Sequence, residues 1–182
     1  MKTFRVATGV AALLISCAAI SLAAPKTQNN SPAARARVGL EQMNSLFASM
    51  VNTADELALE APATKKTNVE RLGLDELKDQ VNRVNLDLRI LQAQAEILPG
   101  WQNRVIEDIA PLMKAIIENT QQEIDTFNSN PDCVWATAFP QDTATVYQDA
   151  VRAQRILSSY LKSADSRTQE ESLETVSAPA TR

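Results

Sequence analysis

The stretch LDELKDQVNRVNLDLRILQAQAEIL, residues 74–98, decides the fold because its apolar residues recur at alternating steps of three and four. This spacing places them on one face of an α-helix, and its average of about 3.5 residues favours long helices that pack nearly parallel. Pro99-Gly100 follows directly and predicts that the helix ends in a tight turn. The positions of this stripe are Leu74, Leu77, Val81, Val84, Leu88, Leu91, Ala95 and Leu98.

Three other segments also have helical spacing, and no strand alternation of any length is present. Capping residues and prolines set the predicted bounds: Ser31-Pro32 to about Glu60, Thr67 or Asp75 to Leu98, Trp101 to Ser129, and an N-cap at Asp142 or Thr143 to about Ala164. Short connections make neighbouring helices antiparallel. The predicted fold is therefore all-α, an up-and-down antiparallel bundle of four long helices over residues 32–164, or a three-helix core with the fourth helix packed on it.

The composition excludes several chemistries. The 182 residues include no histidine and four glycines, with 22 acidic and 18 basic side chains. Without histidine, Ser-His-Asp and Cys-His catalysis and all histidine-based metal sites are ruled out. No glycine-rich phosphate loop is present, and a net charge of −4 disfavours nucleic-acid binding. We therefore predict no catalytic residues, no metal and no cofactor.

The N-terminus predicts export. Lys2 and Arg5 precede an apolar run, Val6–Ala24, with small residues near its end. We interpret residues 1–23 as a signal peptide cleaved after Ala23, which makes the protein periplasmic or secreted. Two alternatives stay open: Leu14-Ile15-Ser16-Cys17 resembles a bacterial lipobox, which would place a lipid on Cys17, and an uncleaved run would be near the length of a membrane anchor. A buried core helix is disfavoured by the polar segment that follows.

The segments that flank the bundle are polar. Residues 24–31 form a predicted linker, and residues 165–182 have too little apolar bulk to offset the entropy of ordering, which predicts a disordered tail. After cleavage Cys133 would be the one remaining cysteine. It is interpreted as a small buried side chain, with an intermolecular disulfide or a reactive thiol as alternatives.

The second helix has a further apolar stripe that lies nearly opposite the first. It comprises Leu86, Ile90, Ala93 and Ile97. A helix that is apolar on two faces needs cover on both. Either neighbouring helices of the bundle cover both faces, or the second stripe is a dimer interface or a groove for an apolar ligand.

Other candidate features have simpler interpretations. Pro111 inside the third helix predicts a kink or a break. The carbonyl of Glu107 would then lose its hydrogen bond beside two carboxylates, which could form a cation site. A bend that lets the helix follow the core is the favoured interpretation. Trp101 and Trp135 are expected to cap opposite ends of the bundle. Solvated surface charge is the interpretation for the carboxylates Glu107, Asp108, Glu118, Glu123 and Asp125.

These observations favour an exported, non-catalytic helical-bundle protein of the cell envelope that acts as a binding or scaffolding module. The partner would be a second copy of the chain or another envelope protein. Contact with the membrane is expected only through the signal segment or a lipid on Cys17. Two alternatives remain: a carrier of an apolar ligand, held in the bundle or on the second stripe, and a small enzyme that uses carboxylates or a thiol.

Overall fold

The computed structural model describes residues 31–60, 67–131 and 137–177, and all regular structure within them is helical. Four α-helices are present, with no strand in these ranges: α1 (Pro32–Glu60), α2 (Thr67–Ala93), α3 (Gly100–Ser129) and α4 (Phe139–Ser177). A short 3-10 turn, Ala95–Ile97, links α2 to α3. The all-α class is confirmed, and the arrangement is consistent with a helical bundle.

Each helix packs mainly against two others, since α1 and α3 both contact α2 and α4. The side-chain amide of Gln102 in α3 donates to the carbonyl of Ala33 in α1 (2.9 Å), so these two helices begin at the same end. Gly39 lies beside Leu91 and Gly73 beside Leu57, so α2 runs back along α1. In α4, Ser158 donates to Asn44 of α1 (3.0 Å).

The predicted stripe of residues 74–98 lies in the core except for Ala95, which is only partly buried. The fully buried side chains include Phe47, Leu77, Ile109, Ile116 and Leu157, which come from all four helices. Apolar residues every three or four positions therefore face a shared interior, as the sequence predicts. The stripe of α1 is buried throughout: Leu40, Met43, Phe47, Met50, Ala54 and Leu57.

The start of α1 is as predicted, whereas the end of α2 is not. Ser31 is the N-cap, and its hydroxyl accepts the backbone N–H of Ala34 (3.2 Å). The α-helical part of α2 ends at Ala93 rather than Leu98, because Leu98 adopts an extended backbone (φ −88°, ψ 148°) ahead of Pro99. The Asn103 side chain donates to the carbonyl of Ala95 (2.8 Å), which satisfies one group that the early ending frees.

The bounds of α4 also differ from the prediction. The helix begins at Phe139, before the expected N-cap at Asp142 or Thr143. Pro140 suits a first turn because it has no N–H to satisfy, and Thr137 accepts the backbone N–H of Phe139 (3.3 Å). The helix continues past Ala164 to Ser177. The disorder predicted for residues 165–182 stays a prediction.

Pro111 lies inside a continuous α3, so of the two predicted outcomes the break is wrong and the kink stays a prediction. The neighbouring Ile109, Leu112 and Met113 are buried, and this packing offsets the loss of one backbone hydrogen bond. None of the described helices is long and apolar enough to cross a membrane. The signal segment with Cys17, the linker up to Asn30, and the loop residues Cys133 and Trp135 lie outside the described residues.

Candidate functional site

The second apolar stripe of α2 is exposed. We call Leu86, Ile90 and Ala93 of α2, together with Ile97 of the 3-10 turn that follows, the outer face of α2. Leu86 is 59% exposed, Ile90 47% and Ile97 62%, and Ala93 is exposed as well. The main neighbours, α1 and α3, pack on the opposite, core-facing side. The interpretation in which the bundle covers both stripes is therefore wrong, because the large side chains of the second stripe keep about half or more of their surface exposed.

Charged side chains border this outer face. Arg83 and Arg89 are exposed on α2, and Glu96 is exposed in the 3-10 turn. Neither arginine forms an ion pair with any residue that the structure describes. Large exposed aliphatic side chains with unpaired arginines beside them are typical of a surface that binds another molecule.

A pocket of about 190 Å³ lies next to the outer face, between α1 and α2. Gly39 contributes no side chain to the pocket. A Cβ atom at this position would make an ordinary contact with Leu91, 3.7 Å from its Cδ2. One carboxyl oxygen of Asp87 is buried without a hydrogen-bond partner, and burial raises the pKa of this group. The pocket is lined by Arg35, Ala36, Gly39, Asp87, Ile90, Leu91 and Gln94.

The size of the pocket limits what it can hold. Pockets for drug-sized ligands usually measure about 300–1,000 Å³. A volume of about 190 Å³ is below that range and is suited to one protruding side chain. Ile90 belongs to both the pocket lining and the outer face, so the two form one continuous surface.

The structure also contains a buried acidic cluster, which we define as Thr120 and Glu123 of α3 with Asp142 and Thr143 of α4. Glu123 and Thr143 have no exposed surface, Thr120 is 3% exposed and Asp142 is 9% exposed. The interpretation of Glu123 as a surface charge is thus wrong. The reason is position: Glu123 lies on the same helix face as Thr120 and the buried Phe127.

The environment of Glu123 favours its neutral form. The pKa of Glu123 is raised from 4.5 to about 7, mainly by burial and in smaller part by the nearby Asp142 charge. The Thr143 hydroxyl opposes this shift, but it donates its hydrogen to the carbonyl of Phe139 (2.9 Å). Both Glu123 oxygens are then without a hydrogen-bond partner, as are Thr120 Oγ1 and one oxygen of Asp142.

The other carboxylates singled out from the sequence are exposed, as interpreted: Glu107, Asp108, Glu118 and Asp125. Asp108 accepts a hydrogen bond from the Tyr160 hydroxyl (3.0 Å). Trp101 packs, partly buried, against the core at the start of α3. Within the described ranges, no three side chains of the metal-ligating types Cys, Asp or Glu come together to hold a metal ion.

The chain gives no match when it is compared with protein-family models, with curated proteins or with solved structures.

Proposed function

We propose that the protein is an exported, non-catalytic helical bundle of the cell envelope that acts as a binding or scaffolding module. The observation that carries this proposal is the outer face of α2, where Leu86, Ile90 and Ile97 are exposed together. The bundle is of the up-and-down antiparallel type, with a signal segment before it and a disordered tail after it. Contacts such as Gly73 with Leu57 and Gly39 with Leu91 support this connectivity.

The occupant of the outer face is an amphipathic helix from a partner protein. The α-helical positions of the outer face, Leu86, Ile90 and Ala93, are spaced four and three residues apart, which is the spacing of a helix–helix seam, and Ile97 follows in the 3-10 turn. An aliphatic side chain of the partner enters the pocket beside Ile90. Acidic residues on the partner pair with Arg83 and Arg89 and fix the register of the two helices.

Two other functions have weaker support. A carrier of an apolar ligand gains no support from the pocket beside the outer face, because this pocket is below the size that drug-sized ligands need. An enzyme could use Glu123 as a general acid or base, since its pKa lies near 7. Its carboxyl group has no exposed surface, however, so a substrate has no access to it in this structure.

Export is supported by the basic start and by the apolar run Val6–Ala24. Mass spectrometry of the N-terminus of the protein from its natural cells tests this part. We expect a chain that begins at Ala24. A lipid-modified Cys17 would retain export but place the protein on a membrane, and an unprocessed Met1 would contradict both cleavage pathways.

Native mass spectrometry of the protein purified from those cells tests the binding role. We expect a complex with a partner protein that Leu86→Glu/Ile90→Glu abolishes. The control pair Leu59→Glu/Tyr147→Glu alters exposed side chains on α1 and α4 and should leave the complex intact. A dimer lost in the same variant would identify a second copy as the partner, a bound lipid would support the carrier, and a bare monomer would contradict the proposal.

A further inference from the structure

We propose that the acidic cluster is a proton-binding switch that couples the packing of the first turn of α4 against α3 to pH. A proton on Glu123 holds this end of the bundle closed, and its release loosens the contact. The proposal is independent of the outer face of α2 and of the function assigned to it.

The geometry provides little compensation for a negative charge on Glu123, since the Thr143 hydroxyl is the one nearby group that favours ionisation among the described residues. Its side chain has no exposed surface, and neither carboxyl oxygen accepts a hydrogen bond. The nearby Asp142 also has a buried oxygen without a partner. Two carboxyl groups in one buried place do not ionise together readily, because each charge raises the cost of the other.

Within the ranges that the structure describes, no positive charge from a neighbouring helix relieves this cost. Among the described residues, Asp142 of α4 is the charged group that acts on Glu123, and it disfavours ionisation. Among the α1 and α2 residues of this half whose side chains the structure describes, these charged ones are exposed: Asp55, Glu56, Arg71, Asp75, Glu76 and Lys78. Ionised Glu123 can therefore be stabilised only by admitting water, which requires α3 and α4 to separate at this end.

The direction of the pH effect follows from the two states of Glu123. When the cluster is packed, the pKa of Glu123 is about 7, and when it is open the pKa returns to about 4.5. The packed state thus binds a proton that the open state releases. The stabilisation of the packed state relative to the open state is fully present below about pH 4.5. The opening constant then rises about tenfold per pH unit to about pH 7, about 300-fold in all, and is constant above that. The pKa of Asp142 is also raised by burial, so its titration acts in the same direction.

Hydrogen exchange measured by mass spectrometry across residues 139–146 from pH 5 to pH 8 tests the proposal, after correction for intrinsic exchange rates. In the natural chain we expect protection in this segment to fall about 40-fold between pH 5 and pH 7, while residues 40–47 of α1 change much less. Glu123→Gln keeps the size of the side chain without the charge, so protection should stay high throughout. Glu107→Gln, at an exposed position of α3, should retain the natural profile.

Equal pH profiles for the natural chain and Glu123→Gln would overturn the proposal. If the Gln variant does not fold, the natural chain still decides, because a pH dependence that is the same at residues 139–146 and in α1 would show that no local switch exists. Asp142→Asn, which removes the second carboxylate, should shift the midpoint of the profile to lower pH, since the repulsive charge is gone.

Discussion

The substitution pair Leu86→Glu/Ile90→Glu should leave the protein folded while it removes the binding surface. Both side chains are about half exposed, at 59% and 47%. Glutamate is a good helix former, so the helix itself is not weakened. The matched contrast is Leu88→Glu, which lies between the two positions in the sequence but is only 4% exposed.

The magnitudes separate the two cases. Full burial of a leucine or isoleucine side chain contributes roughly 1.5–3 kcal/mol, so the loss of half of it costs about 1 kcal/mol at each position, or about 2 kcal/mol for the pair. A domain with about 5–15 kcal/mol of stability tolerates that loss. Leu88→Glu instead places an unpaired carboxylate in the core, which costs more than about 4 kcal/mol and should unfold the bundle or nearly so.

Urea denaturation followed by far-ultraviolet circular dichroism measures the difference. We expect the pair variant to keep the helical signal of the natural chain, with a moderately lower midpoint, and Leu88→Glu to lose most of its cooperative transition. If the pair variant is as unstable as Leu88→Glu, the outer face is covered in the folded protein, and the assignment of a binding surface is wrong.

Two further predictions concern packing and capping. Gly39→Ala should raise the free energy of unfolding by up to about 1 kcal/mol, because the added Cβ would make an ordinary 3.7 Å contact with Leu91. Gly73→Ala should give no gain or a loss, because its Cβ would lie 2.7 Å from Leu57 Cδ2, which is too close. Equal gains for both variants in chemical denaturation would contradict the register of α1 against α2. Ser31→Ala removes the hydroxyl that caps α1 and should cost about 1 kcal/mol, against a few tenths for Ser31→Gly; a thermal melt that does not change with alanine would refute the cap.

The elements that follow local chemistry were predictable from the sequence. The bounds of α1 depend on the cap at Ser31 and on Pro62 beyond its end, and the structure confirms a helix from Pro32 to Glu60. The core stripes were predictable because apolar residues recur at the helical period. The start of α4 was predicted too late because Asp142 and Thr143 resemble capping residues, although the earlier Pro140 already marks a first turn.

The candidate sites were only partly predictable. The core spacing of α3 continues from Ile109, Met113 and Ile116 through Thr120 and Glu123 to Phe127, so the period alone would have placed Glu123 inside. Its charge led to the opposite interpretation, since buried carboxylates without partners are rare. The outer face of α2 was recognised, but whether neighbours cover it depends on how the helices assemble, and the spacing within one helix does not determine that.

The most direct test of the central claim is site-specific photo-crosslinking in cells that naturally make the protein. A photoreactive amino acid is placed at position 90 in one experiment and at position 59, on α1, in another. We predict a discrete cross-linked product from position 90 and none from position 59, because the outer face of α2 is where the partner helix binds. No product from position 90, or equal products from both positions, would contradict the account.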